Sequence, residues 1–360
     1  MSRNLISLSA IATLLGGTAM ADVPNVAVDI APVHSLVARV MDGVGTPDLI
    51  LPPGASPHGY SLRPSEAAAL QNADVVVWMG ERLAPWMEGA VATLAGDAAV
   101  LTLLEAEGTI LLDYREGALF EKHAHGDTDD HADHAEDAHD HEEEHDHADE
   151  AHDHEDEHDH AEDDHDHDAH SGDDHDDHDD HDHGEDEHAH GDFDSHAWLS
   201  PTNAATWLNL IAAELSAADP ENAGTYYANA AAGREELEAL KAEVNALLEP
   251  VRGGNFIVFH DAYNYFESDF DFPAAGAISL SDATDPSPAR IVEIQGRVRA
   301  EGIDCVLTEP QFNPGIVATV LEGTEAITGV SDPIGATLEP GPTLYPQLIR
   351  NLATSLAECL

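Results

Sequence analysis

The chain has 360 residues, of which 72 are acidic and only 13 are Lys or Arg, so its formal net charge is −59. Such a charge attracts divalent cations and argues against nucleic acids and anionic lipid surfaces as partners. After the N-terminus, no stretch approaches the ~18 to 20 apolar residues that span a bilayer, so we expect a soluble protein.

Residues 1–21 have the pattern of a secretory signal peptide. Arg3 precedes an apolar run from Leu5 to Leu15, and small residues follow up to Ala21. We therefore predict export of the protein, with cleavage after Ala21.

Residues 22–122 alternate short β-rich runs with helical patterns, which is typical of an α/β domain. Apolar runs predict strands at 26–30, 48–51, 74–79 and 100–103. Pro64 predicts the start of a helix, because proline fits the first helical turn.

Residues 123–191 contain 21 histidines and 33 acidic residues but no Lys or Arg. Imidazole and carboxylate groups bind ions such as Zn²⁺, and a tract so poor in apolar residues cannot bury enough surface to fold. We predict a disordered loop with several weak zinc sites; a solvating acidic linker is the alternative. The candidate auxiliary ligands are His139, His141, His145, His147, His152, His154, His158, His160, His165 and His167.

Two stretches of this tract, 141–145 and 154–158, also match the zinc-protease pattern His-Glu-x-x-His. That pattern requires an amphipathic helix packed on a core, which places both imidazoles on one face. Neither stretch has the apolar residues for such a helix, so we reject a protease.

Residues 192–221 complete the first domain, with a predicted helix after Ser200. Residues 222–250 predict one long helix of about 40 Å, at ~1.5 Å per residue, which would act as a stiff connector. Residues 251–360 resume the strand and helix alternation and predict a second α/β domain. Its predicted strands lie at 256–259, 274–280, 305–308 and 327–330.

The only two cysteines, Cys305 and Cys359, both fall in this second domain. In an oxidising compartment we expect such a pair to form a disulfide that ties the last helix to a strand. Two buried free thiols are the alternative.

Only four histidines lie outside the tract: His34, His58, His196 and His260. His58 stands in a Pro/Gly-rich loop, His196 precedes a predicted helix, and His260 ends a predicted strand. Open α/β sheets bind ligands at such positions, although each imidazole taken singly could equally be structural. We interpret His34, which opens a helical pattern, as structural. Asp332 follows the last predicted strand and could supply a carboxylate, or simply form a turn before proline.

Five segments, in order, resemble the ZnuA family of periplasmic zinc-binding proteins. They are Gly54–Ser65, His196–Pro201, Phe259–Tyr263, Thr308–Phe312 and Asp332–Gly335. The resemblance covers nearly the whole mature chain and implies the cluster A-I solute-binding fold. In that fold, two α/β lobes with mainly parallel sheets are joined by one rigid helix, and the metal lies between them.

The resemblance further implies a periplasmic protein that captures Zn²⁺ and delivers it to an inner-membrane ABC permease with its cytoplasmic ATPase. We expect a monomer without enzymatic activity, and a periplasmic zinc chaperone is a further candidate partner. The alternatives are a secreted zinc-dependent hydrolase, since catalytic zinc also uses three protein ligands, and a metal-buffering surface protein.

Carried over residue by residue, the implied zinc ligands are His58, His196 and His260, with Asp332 or water as the fourth. Some relatives have a glutamate immediately before the first of these, but this chain has Pro57 there. Three imidazoles and one oxygen suit Zn²⁺ better than Mn²⁺, which prefers more carboxylates. Glu309 is expected to hydrogen-bond one of the ligand histidines.

Overall fold

A computed structural model describes residues 23–115, 193–279 and 286–360. The predicted signal peptide and the predicted loop at 123–191, with its ten candidate histidines, lie outside the described residues. None of the helices in the described ranges is both long and apolar enough to cross a membrane.

The N-terminal lobe is built on a four-stranded parallel sheet with the strand order β2-β1-β3-β4. Strands β1 and β3 are completely buried, in keeping with their unbroken runs of apolar residues, most of them valine. The elements of this lobe are β1 (Val26–Val28), α1 (Ala31–Val40), β2 (Asp48–Leu49), α2 (Pro64–Gln71), β3 (Val75–Trp78), α3 (Pro85–Leu94) and β4 (Ala99–Thr102).

Two helices follow in the chain, α4 (Pro201–Ala218) and α5 (Ala223–Leu248). The hydroxyl of Ser200 caps α4 by accepting a hydrogen bond from the backbone N–H of Asn203, at 3.0 Å. A Cβ atom at Gly233 of α5 would lie 2.9 Å from Cδ1 of Leu208 in α4, so glycine allows the two helices to approach closely. Helix α5 also packs against α1.

The C-terminal lobe repeats the parallel arrangement, with the strand order β6-β5-β7-β8. Its last helix packs against α5 and α1, so the lobes share one apolar core. The elements of this lobe are β5 (Phe256–His260), α6 (Asn264–Phe270), β6 (Gly276–Ser279), α7 (Pro288–Glu301), β7 (Cys305–Thr308), α8 (Pro314–Leu321), β8 (Ile327–Val330) and α9 (Leu344–Cys359).

A disulfide joins Cys305 in β7 to Cys359 at the end of α9, with 5.6 Å between the Cα atoms. It fastens the C-terminal helix to the second sheet, as the cysteine pair predicted. The strand carrying Cys305 leads directly into Glu309, one of the residues of the site described next.

Candidate metal centre

Three histidines that are far apart in sequence meet at one point between the lobes. His58 comes from the loop after β2, His196 from the turn before α4, and His260 from the carboxyl end of β5. The Nε2 atoms of His58 and His196 lie 3.4 Å apart. The ring centre of His196 is 5.3 Å from that of His58 and 5.4 Å from that of His260. The three imidazoles therefore line one cavity, although the described side chains, as they stand, form no group of three or more ligands placed to hold an ion.

Two of these rings are hydrogen-bonded through Nδ1 to buried carboxylates. Nδ1 of His196 lies 2.6 Å from Oδ1 of Asp194, and Nδ1 of His260 lies 2.5 Å from Oε1 of Glu309. An ionised carboxylate only accepts hydrogen bonds, so each Nδ1 must carry the proton. In the neutral form of each ring the lone pair is then on Nε2, which is the form that binds a metal ion.

Asp194 was not identified from the sequence. Its Oδ1 also accepts a hydrogen bond from the backbone N–H of His196, at 2.9 Å, and its own backbone carbonyl accepts one from the hydroxyl of Tyr265, at 2.8 Å. The signal that could have revealed it is its spacing, two residues before a candidate ligand, because a side chain at that distance can fold back onto the histidine.

Glu309 follows β7, and its side chain is fully buried. Its second oxygen, Oε2, accepts a hydrogen bond of 2.7 Å from the amide of Gln311. Burial, and then the charge of Glu309, raise the pKa of the Tyr263 hydroxyl well above its usual value of 10. The Tyr263 hydroxyl thus remains protonated beside the carboxylate.

Asp332 lies in the turn that follows β8. Its Oδ1 accepts hydrogen bonds from the backbone N–H groups of Ile334 and Gly335, at 3.2 and 2.9 Å. Its Oδ2 is buried and has no hydrogen-bond partner among the described residues. A buried carboxylate oxygen without a partner is costly, and a bound cation would relieve that cost. Asp332 does not itself line the cavity at the histidines, although the next residue, Pro333, does.

The cavity at the three histidines has a volume of about 310 Å³ and is mostly apolar. Apolar walls exclude water and strengthen the attraction between a cation and its ligands. Besides the histidines, the lining consists of Gly54, Ala55, Ser56, Pro57, Trp198, Gln311, Phe312, Pro333, Ile334 and Ala336.

The remaining residues singled out in the sequence take structural places. Pro57 is buried, and its carbonyl accepts a hydrogen bond of 2.8 Å from the indole of Trp86, which orders the loop next to His58. His34 is buried in α1, where its Nε2 donates to the carbonyl of Pro47 at 3.0 Å. Burial lowers the pKa of His34, so its ring stays neutral, and it does not line the cavity.

Solved structures of similar fold include a ZnuA protein and an SBP in complex with Mn²⁺. A crystal structure of ZnuA aligns with a TM-score of 0.64 at 20% identity, covering 94% of this chain and 99% of the other. FpvC from Pseudomonas aeruginosa in complex with Mn²⁺ aligns with a TM-score of 0.66 at 18% identity, covering 94% and 98%. These likenesses confirm the two-lobed fold.

Sequence relatives specify the family. The high-affinity zinc uptake system protein ZnuA of Brucella abortus (strain 2308) is 44% identical over 350 residues, which are 97% of this chain and 96% of the relative. Its counterpart in Paracoccus denitrificans (strain Pd 1222) is 42% identical over 354 residues, which are 97% of each chain. The model of the ZnuA family, described as zinc-uptake complex component A periplasmic, matches residues 26–359. The chain therefore belongs to the ZnuA family.

Proposed function

We propose that this protein captures Zn²⁺ in the periplasm and delivers it to an inner-membrane ABC permease with its cytoplasmic ATPase. The observation that carries the proposal is the convergence of His58, His196 and His260 on one cavity between the lobes. Two of these rings are already oriented by carboxylates hydrogen-bonded to Nδ1. The names of the relatives and of the family support zinc as the cargo.

The donor set favours zinc over manganese. Three imidazoles and one carboxylate oxygen from Asp332 would give the four-coordinate site that Zn²⁺ prefers. A manganese site would be expected to offer more carboxylates and a higher coordination number. Pro57 cannot supply a further carboxylate beside His58.

The domain organisation belongs to the same proposal. Residues 1–21 act as a signal peptide cleaved after Ala21, residues 22–122 and 192–221 form the N-terminal lobe, and residues 251–360 form the C-terminal lobe. Residues 222–250 act as the connecting helix. The His-rich tract at 123–191 collects zinc through weak sites and raises its concentration near the cavity. The protein works as a monomer without catalytic activity, and a periplasmic zinc chaperone is a candidate source of its zinc.

A zinc titration against a competing chelator tests the ordered site, using the mature protein and a variant that lacks residues 123–191. We expect one tight site in both, and its loss in His58→Ala and His260→Ala. His34→Asn is the matched control, because it removes an imidazole that does not line the cavity, and it should bind zinc normally.

The absence of a tight site in the variant that lacks residues 123–191 would contradict the proposal. The tract itself would then be the functional ligand, and the protein would be a metal buffer. Zinc-dependent cleavage of ester or peptide substrates that is lost in His260→Ala would instead indicate a hydrolase.

A further inference from the structure

A half-buried arginine joins the two lobes near the cavity. Arg115, in the segment after β4, donates to both oxygens of Asp261, with Nε at 3.1 and 3.2 Å, and its Nη1 lies 2.5 Å from Oε2 of Glu267. The side chains of Asp261 and Glu267 are only 6% and 4% exposed, and that of Arg115 is 16% exposed. One guanidinium therefore pairs with two buried carboxylates of the C-terminal lobe and offsets half of their charge.

A second contact lies next to this ion pair. Asp113 and Phe193 form an antiparallel bridge that brings the segments 112–115 and 193–194 together, and we call these two segments the bridged pair. The hydroxyl of Tyr265, in α6, donates to the carbonyl of Asp194 and accepts from the backbone N–H of Leu112, at 3.0 Å. The Tyr265 hydroxyl thus hydrogen-bonds to both segments of the bridged pair.

Both contacts lie close in the chain to proposed metal ligands. Asp261 directly follows His260, and Asp194, whose side chain orients His196, belongs to the bridged pair. Arg115 and Tyr265 therefore fasten the segment that carries His196 to the segment that carries His260. These contacts act beside the hydrogen bonds that Ser200 and Thr202 donate to Asp269, which also tie the segment after His196 to α6.

We propose that Arg115 is a positioning residue for metal capture, which sets the distance between His196 and His260 by clamping the bridged pair to Asp261 and Glu267. The inference rests on the proposed function, because it takes these two histidines as ligands. It adds a residue that touches neither the metal nor the histidines.

The physical reason is preorganisation. Ligands held at the bonding distance bind a metal without a further ordering cost, and loosely held ligands release it sooner. A planar guanidinium can bind two carboxylates in fixed directions, which an ammonium group cannot do. Without Arg115, two buried carboxylates would lose their counter-charge, and α6 would be held against the bridged pair by the hydrogen bonds of Tyr265 and Asn264 without the ion pair.

The test measures the rate of zinc dissociation from the mature wild-type protein and from its Arg115→Gln variant. Each is loaded with one equivalent of zinc, and a competing chelator traps the released ion. We expect zinc to dissociate about tenfold faster, with an unchanged association rate, since supporting residues of metal ligands typically contribute this much to affinity. The visible absorption of the Co²⁺-loaded protein should also change, because it reports ligand geometry. Arg115→Lys should recover part of the loss.

Arg39→Gln is the matched control, because Arg39 also pairs with a carboxylate, that of Glu236, but links α1 to α5. It should leave the dissociation rate and the Co²⁺ spectrum unchanged. An Arg115→Gln protein with a lower melting temperature but wild-type dissociation and spectrum would overturn the proposal.

If Arg115→Gln does not fold, Tyr265→Phe removes the neighbouring hydrogen bonds and keeps the ion pair. It should accelerate zinc release in the same direction by a smaller factor, and wild-type release from it would count against the proposal. Absence of a tight site in the wild-type protein would refute the proposed function, whereas a tight site that is insensitive to both substitutions refutes only the role of the clamp.

Discussion

Oε1 of Glu309 lies 2.5 Å from Nδ1 of His260, and the Glu309 side chain is completely buried. The carboxylate accepts the Nδ1 proton and so fixes the orientation of the ring. Its other oxygen is occupied by Gln311, so the carboxylate itself cannot easily rotate.

Replacement of Glu309 by glutamine should weaken zinc binding about 10- to 100-fold, because the amide keeps the shape but loses the charge that makes the ring a better donor. A chelator competition at neutral pH measures the change. Glu339→Gln, at an exposed position, is the control. Equal affinity in Glu309→Gln and wild type would show that the contact to His260 is purely structural.

Replacement of Asp194 by asparagine should weaken zinc binding by a similar factor, because Asp194 orients His196. Because the two carboxylates act on different rings that bind one ion, we expect the losses in the double variant with Glu309→Gln to be non-additive. Zinc affinities of the two single variants and the double variant provide the measurement, with Asp97→Asn as the exposed control. Strict additivity would show that the two rings contribute independently to the binding of the ion.

Asp332→Asn tests the fourth ligand. Asparagine can still accept the hydrogen bonds from Ile334 and Gly335, but it removes the negative charge at the buried Oδ2. Zinc affinity should fall at least tenfold if this oxygen binds the ion, because a neutral amide oxygen is a poorer ligand for Zn²⁺. Wild-type affinity would assign the fourth position to water.

The disulfide should stabilise the fold without contributing to zinc binding. Cys305 and Cys359 are 54 residues apart in sequence, and closing a loop of that length contributes about 4 kcal/mol in the chain-entropy model. The Cys305→Ser, Cys359→Ser double variant should lose about this much unfolding free energy in urea. Its zinc affinity should be that of the wild type; a large loss of affinity would mean that the bridge also positions Glu309.

Asp29 should make the stability depend on pH. Burial raises its pKa to about 7, against the hydrogen bonds that it accepts from the backbone N–H groups of Met79 and Ile30. The folded protein then keeps a proton that the unfolded chain loses near pH ~4. This contribution to stability is fully present below pH ~4 and is lost as the pH rises through about 7, amounting to at most about 4 kcal/mol.

Urea unfolding of the wild type and of Asp29→Asn between pH 4 and 8 measures this contribution. The unfolding free energy of the wild type should fall relative to that of Asp29→Asn as the pH rises, since asparagine does not titrate. A difference that is constant across this range would show that the carboxyl group has an ordinary pKa in the folded protein.

Several elements were predictable because their signals are local. The strands at 305–308 and 327–330 have the predicted limits, and α5 begins within one residue of its predicted start. The strand predicted at 48–51 is shorter, Asp48–Leu49, because only these two residues pair with β1. The helices α3 and α6 were not identified from the sequence. Helix α6 has only seven residues, too few to show a clear helical periodicity.

The sequence by itself determined the α/β class, the pairing of the only two cysteines and the short list of histidines outside the tract. These follow from composition, periodicity and motifs, which are properties of neighbouring residues. Only the tertiary structure decided that His58, His196 and His260 line one cavity and that Arg115 reaches Asp261, 146 residues further along the chain. Contacts of that kind depend on how the two sheets and the helices between them pack, and no local pattern encodes a distance across the fold.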